Sequence, residues 1–318
     1  MTRRHAAPAA TVVLAGGHES DGGRDLAALV EREPTVHAAA AVGRPLAEAV
    51  RSALAAADGP VCVVPMTLGR DPGLVADAAR ALRWLADGEV RGRLALTEPF
   101  GGRDHLVGWL RAAAGAHDAD GADGPGPGGA LLVTAPAAGP FEDADLFRTA
   151  RLVRQYGRHR WVEVAFAGGD PDPAEGAERC RLLGARTVTA VPASFGPALR
   201  AGLPGVRDGG PLLGPAAIAG VVAARTAAAL HLLGHGEDGI LAGLDAEHGH
   251  GYAHSHGPGG THTHGHGPGG THGHTHTHGH RLQAPVPVPA AVPVPSGGRL
   301  PAPLPHGHRH AHTQPPQH

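Results

Sequence analysis

Lysine and asparagine are absent from the 318 residues, and aromatic residues are scarce, with 5 Phe, 3 Trp and 2 Tyr. Positive charge therefore rests on arginine and histidine, and 27 basic against 29 acidic residues leave a formal net charge of -2. An electrostatic nucleic-acid binder would show a basic patch or stripe, so no nucleic-acid partner is expected. Two cysteines, Cys62 and Cys180, are too few for a disulfide scaffold or a Cys-based zinc module. No run of about 18 apolar residues is free of Gly, Pro and charge, so no membrane span is expected. The Arg3–Arg4 start only mimics a signal peptide. Its apolar stretch is short and runs into Gly16-Gly17-His18, which reads as a strand end. The expected setting is the cytoplasm.

What the chain has in excess is Gly (50), Pro (30) and His (25), and these are unevenly placed. Residues 1 to about 245 carry the Val, Leu and Ile that can build a core. From His248 to His280 twelve of the 33 residues are His, mixed with Gly, Thr and Pro, and a Pro/Val stretch follows at 285–295. Such a segment cannot offset its ordering entropy by burial, so disorder is expected over 246–318.

Within the first 117 residues short apolar runs alternate with helical patterns. Thr11–Gly16, Thr35–Val42, Val61–Met66 and Arg93–Leu96 read as strands. Asp21–Glu33, Pro45–Ala57, Pro72–Leu85 and Asp104–Ala114 read as helices. Val61–Met66 (VCVVPM) is nearly all apolar, as a strand buried on both faces should be. Regular βαβα order implies a parallel sheet with helices on both faces. A Gly/Asp/Pro stretch at 115–129 then interrupts the pattern, and it restarts. Ala130–Thr134 is similar to Thr11–Gly16, Trp161–Gly169 to Thr35–Gly43, and Thr187–Pro192 to Val61–Pro65. Pro45 to Pro65 spans 20 residues and Pro171 to Pro192 spans 21, which supports a duplication over chance likeness between two α/β units. The expected fold class is α/β: two tandem domains, each a small parallel sheet flanked by helices, plus a tail. The boundaries fall at 1–117, a linker 118–129, 130–245 and 246–318.

The most informative run is Gly16-Gly17-His18-Glu19-Ser20-Asp21. Ligands of parallel sheets bind at the carboxyl ends of strands, and this run follows the first one. Gly16 and Gly17 remove side chains where a flat ligand could approach the backbone. A neutral imidazole at His18 suits Co²⁺, Ni²⁺, Fe²⁺ or Zn²⁺ and accepts protons near neutral pH. The bland alternative is a loop histidine capping the next helix. AGGHES is not a GxGxxG fingerprint and no Walker-type motif follows the first strand, so no nucleotide cofactor is expected.

Gly17-His18-Glu19-Ser20, together with Pro65-Met66-Thr67-Leu68-Gly69-Arg70-Asp71 and Thr97-Glu98-Pro99-Phe100-Gly101 before Asp104-His105-Leu106, resembles the class II chelatases of the CbiX type. The resemblance runs over roughly residues 11 to 235 and rests on the order and spacing of short motifs. It implies a chelatase-like lyase that inserts Co²⁺, or Fe²⁺ or Ni²⁺, into sirohydrochlorin or a related tetrapyrrole in cobalamin (porphyrin-type) biosynthesis, without a nucleotide. It makes His18 the catalytic residue and first metal ligand, with Glu19, Glu98 or His105 as helpers. Gly16, Gly17 and Ser20 would border the substrate, and Arg44, Arg70 and Arg103, each just after a predicted strand, would grip its carboxylates, which arginine does bidentately. The chain departs from the family where a second metal-binding His falls on Arg70. The second half carries Thr134-Ala135-Pro136 and Phe195-Gly196-Pro197 in place of the two His turns. Two fused halves imply an intramolecular version of a symmetric dimer, hence a monomer.

The tail is a separate signal. His262, His264, His266, His272, His274, His276, His278 and His280 stand in His-x-His spacing, at which two or three imidazoles can share one cation. Without a folded cage the preference follows the Irving–Williams order, Cu²⁺ and Ni²⁺ before Co²⁺, and weakens below about pH 6.5 as imidazole protonates. The expected role is to gather metal near the site. The rival class is a non-catalytic protein that stores or delivers cobalt or nickel through this tail.

Overall fold

The computed structural model describes residues 10–86, 90, 92–119, 128–157 and 159–246. The tail histidines predicted to hold metal (His262, His264, His266, His272, His274, His276, His278 and His280) lie outside the described residues, as does most of the linker.

Two four-stranded parallel sheets form. The first has the order β2-β1-β3-β4, built from β1 (Thr11–Gly16), β2 (Val36–Ala41), β3 (Val61–Met66) and β4 (Leu94–Leu96). The second repeats it as β6-β5-β7-β8, with β5 (Gly129–Pro136), β6 (Trp161–Ala167), β7 (Thr187–Pro192) and β8 (Val206–Asp208). The α/β class and the restart after the linker are as the sequence predicts. The registers fix which residues correspond. Ala15 lies opposite Pro65 and Thr134 opposite Pro192, the two strand-closing prolines. The helix-opening counterpart of Pro45 is Pro173, at the start of α6 (Pro173–Leu182), while Pro171 stays in the loop before it.

Alternation along the central strands divides the core. Val12 and Leu14 of β1 join Leu131 and Val133 of β5 in one shared cluster that also holds Phe100 and Phe166. Val13 and Ala15 face the opposite way, onto Leu46, Val50 and Ala53 of α2 (Arg44–Ala56). Ala130 and Leu132 likewise face Ala177 and Cys180 of α6. The central strands are therefore apolar on both faces, which is what a parallel sheet covered on both sides requires.

Helices cross between the halves. α4 (Arg103–Ala119) follows β4 yet lies against β7 and α5 (Pro140–Tyr156), and α7 (Pro215–Gly234) follows β8 yet covers β3 and β4. The short α8 (Ile240–Asp245) then sits on α3 (Leu74–Arg83). By length and composition α7 is long and apolar enough to cross a membrane, although most of it is not buried. Gly220 and Arg225 interrupt its apolar run. The predicted helix Asp21–Glu33 is also changed: a 3₁₀ segment occupies His18–Leu26, and regular helix is confined to α1 (Ala27–Arg32). Asp21, Gly22 and Gly23 have φ values of 51°, 65° and 97°, outside the right-handed region.

Candidate functional site

The carboxyl ends of β1 and β3 lie side by side, Gly16 opposite Met66, so the loops that follow them meet. Glu19 is the knot. Its carboxylate is fully buried and accepts hydrogen bonds from the Thr67 hydroxyl, from Leu68 N–H at 3.1 Å and from Arg70 N–H at 3.4 Å. Its main-chain carbonyl accepts from Phe195 N–H of the second half at 2.8 Å. Thr67 Oγ1 in turn accepts from Gly69 N–H at 2.9 Å and Asp71 N–H at 3.3 Å. Burial pushes the Glu19 carboxyl above the ordinary value, and the Thr67 hydrogen bond and the Arg70 charge oppose that shift.

This knot sets the geometry of His18. Asp71 Oδ2 lies 3.2 Å from His18 Nδ1. A carboxylate only accepts, so Nδ1 carries the proton of the neutral ring and Nε2 carries the lone pair. Nε2 is covered and has no hydrogen-bond partner. The ring as a whole is not sealed, its side chain being 26 % exposed. A carboxylate behind an imidazole fixes ring orientation and tautomer, which serves a metal ligand and a general base alike.

The glycines make this possible by what they lack. A Cβ on Gly17 would overlap the Asp71 carboxylate, and one on Gly16 would overlap the backbone of Gly23, where the loop folds back. Their bare faces are thus turned toward protein atoms. Ser20 is buried in the same turn, its hydroxyl donating to Gly17 O at 3.3 Å and accepting from Gly23 N–H at 3.2 Å.

Arg70 is buried as well, and it reaches the second half. One terminal N–H₂ donates to Pro136 O at 3.2 Å and to Asp143 Oδ1 at 3.1 Å, while Nε and Nη1 are buried without partners. Its guanidinium carbon lies 5.9 Å from the Phe166 ring centre. Desolvation pulls the Arg70 pKa below its ordinary value, with Glu19 and Asp143 opposing. Beside Pro136 a cavity of about 310 Å³ opens at the carboxyl ends of the second sheet, lined by Ala135, Pro136, Ala167 and most of the loop from Ser194 to Leu203. Arg200, on that loop, pairs with Asp25 of the first half at 3.2 Å.

The other residues singled out in the sequence are engaged elsewhere. Glu98 is 77 % exposed and pairs with Arg225 at 2.7 Å. His105 accepts a hydrogen bond from Gly102 N–H through Nδ1 at 3.1 Å and stacks on Trp109. Arg44 pairs with Glu48 along its own helix, and Arg103 with Asp145 at 2.7 Å. Among the described residues no three His, Cys, Asp or Glu side chains converge as a metal site, so Glu98 and His105 do not complete a sphere around His18. Sequence reasoning missed Asp71 and Asp143. Asp71 had one available signal, an acid placed at the exit of the buried strand next to β1, whereas Asp143 lies on a helix that no motif marks.

No protein-family model matches the chain, and no curated protein matches it. Among solved structures it is similar to a multi-domain protein of Deinococcus radiodurans, described as structurally similar to chelatases but with two additional novel domains. The identity is 20 %, the match covers 69 % of this chain and 55 % of that one, and the TM-score is 0.43. A Bacteroides fragilis protein assigned as a LacI transcriptional regulator matches at 11 % identity over 57 % of this chain and 68 % of its own, with a TM-score of 0.27.

Proposed function

We propose that this protein is a chelatase-type lyase that inserts a divalent metal, Co²⁺ foremost, into sirohydrochlorin or a related tetrapyrrole without a nucleotide. The observation that carries the reading is the His18–Asp71 pair with Nε2 unpartnered, at the adjoining carboxyl ends of β1 and β3. Two of the three sequence motifs that resemble the CbiX-type chelatases, Gly17–Ser20 and Pro65–Asp71, fall on these same two loops.

Insertion replaces two pyrrole N–H protons by one M²⁺, so the protein must accept protons and hold metal and macrocycle face to face. Nε2 of His18, covered in this structure, accepts a proton once the macrocycle displaces what covers it, and the Asp71 carboxylate stabilises the imidazolium before the proton passes to water. A single imidazole cannot fill a coordination sphere, so the macrocycle nitrogens and water supply the rest. Arg70, whose partners are Pro136 and Asp143, ties the second half to the loop that carries Asp71.

One observation favours a second reading. Arg70 occupies the position where the resemblance expects a second metal-binding His, and no three-residue ligand group stands in the described residues. A protein that stores or delivers cobalt or nickel through its His-rich tail, without catalysis, needs neither. Anaerobic incubation of full-length protein with sirohydrochlorin and Co²⁺, followed by absorbance, separates the two. Formation of the cobalt complex well above the protein-free rate supports the enzyme. Metal uptake by the protein with no change in the insertion rate supports the carrier.

A further inference from the structure

The last turn of α7 carries His231-Leu232-Leu233-Gly234-His235, two histidines four residues apart on one helix face. Both are exposed, and their ring centres lie 4.8 Å apart at an interplanar angle of 77°. That spacing lets one cation meet a ring nitrogen from each, as in helical H-x-x-x-H metal motifs.

The backbone holds the pair in register. Glu237 N–H donates to Leu232 O and Gly236 N–H to Leu233 O, both at 3.0 Å, and Gly236 has φ 88°. This is a Schellman ending, with the left-handed residue supplied by glycine. His235 therefore sits at a fixed C-terminal position, one turn above His231, rather than on a fraying end. The unpaired carbonyls of a helix C-terminus also favour positive charge there. Among the described residues no third His, Cys, Asp or Glu joins the pair, so water fills the remaining positions.

The geometry assigns His231 and His235 as a two-imidazole site for a late 3d divalent cation, with Cu²⁺ and Ni²⁺ ahead of Co²⁺. The site is separate from His18. Leu230 and Leu233, beside the pair, pack with Ala10 and Cys62 on the strand-entry side of the first sheet, whereas His18 stands at the strand exits. It also precedes the His-rich segment by only 13 residues, His235 to His248. The folded body thus offers a cation a structured foothold close in sequence to the tail.

Carbethoxylation of the full-length protein, read peptide by peptide by mass spectrometry with and without saturating Ni²⁺, tests this. His231 and His235 are expected to react at least about tenfold more slowly with Ni²⁺, because the second ligand acts at high effective concentration. His37, exposed and bonded to Ser52, is the internal reference. In His231→Ala, His235 should react at its metal-free rate at the same Ni²⁺ concentration, and the reverse in His235→Ala. Ni²⁺ should also raise the thermal midpoint of the wild type and leave that of either variant unchanged. Unaltered rates at both positions in the wild type would overturn the site. So would continued protection of His235 in His231→Ala, which would mean that one imidazole and other ligands suffice.

Discussion

The exits of β1 and β5 are the same place in two copies of one topology, and they are built from opposite materials. Registering Ala15 with Thr134 through their proline partners sets Gly16 against Ala135, Gly17 against Pro136 and His18 against Ala137. On the neighbouring loop Thr67 corresponds to Ser194 and Arg70 to Pro197. The first half uses two side-chain-free residues to bring a buried carboxylate, an imidazole and a second carboxylate together. The second half has Ala and Pro at most of these positions, enters the long helix α5 directly where the first half makes its kinked 3₁₀ turn, and leaves a cavity. A duplicated scaffold here concentrates its titratable groups in one copy and turns the other into a surface that receives Arg70.

The largest effect should come from removing the residue that makes the halves unlike. His18→Ala should lower metal insertion by about 10²–10⁴-fold, the usual contribution of a positioned general base. It should leave the fold intact, since the ring is partly exposed and stands in a loop after the strand. Initial rates with Co²⁺ and sirohydrochlorin check this, and a wild-type rate would remove His18 from the chemistry. Arg70→Ala should cost about 3 kcal/mol of stability, because it leaves Asp143 without its partner in a half-buried setting. Urea denaturation gives the value. A loss under about 0.5 kcal/mol, the scale of an ordinary surface substitution, would show that the two halves do not depend on this tie. Asp71→Asn keeps the shape but weakens the acceptor behind Nδ1, and insertion should fall by about 10–100-fold. An unchanged rate would separate the carboxylate from the function of the imidazole.

The last effect concerns a feature the halves share. Each has one buried cysteine, and burial raises the Cys62 thiol to about 11 and Cys180 to about 12. For a group raised above its unfolded value, the stabilisation is fully present below that value, near 9, and is lost as pH rises through the folded one. Stability should therefore decline between about pH 9 and about pH 11 to 12, with negligible native alkylation at pH 8. Rapid native labelling of either thiol at pH 8 would contradict the burial.

The strands β1 to β7 were legible because the central ones are mostly apolar and carry Gly or Pro at or next to their ends, whereas the three-residue β8 (Val206–Asp208) is too short and polar to stand out. The 3₁₀ turn at His18–Leu26 was not, since Leu26 and Leu29 keep a helical spacing while Gly22 and Gly23 take left-handed backbone. His18 could be picked out from its place at a strand end, but its partner could not. Asp71 reaches it only because Glu19 pulls the β3 loop across, a contact 48 residues apart in sequence. The glycines were legible as bare positions, although what they make room for is protein. The crossing of α4 and α7 left no local trace, because a helix's apolar face does not say which sheet it will cover.

That crossing has a consequence for how the chain is made. The face of β3 and β4 that α7 covers belongs to strands finished by residue 96, yet its cover ends at residue 234. During synthesis, at about 5–20 residues per second, that face waits on the order of ten seconds for its partner. The second sheet has no such wait, because α4 is already made when β7 emerges. The N-terminal half should thus be the aggregation-prone one on the ribosome, and a fragment ending before Pro215 should recover solubility when residues 215–246 are supplied as a separate peptide.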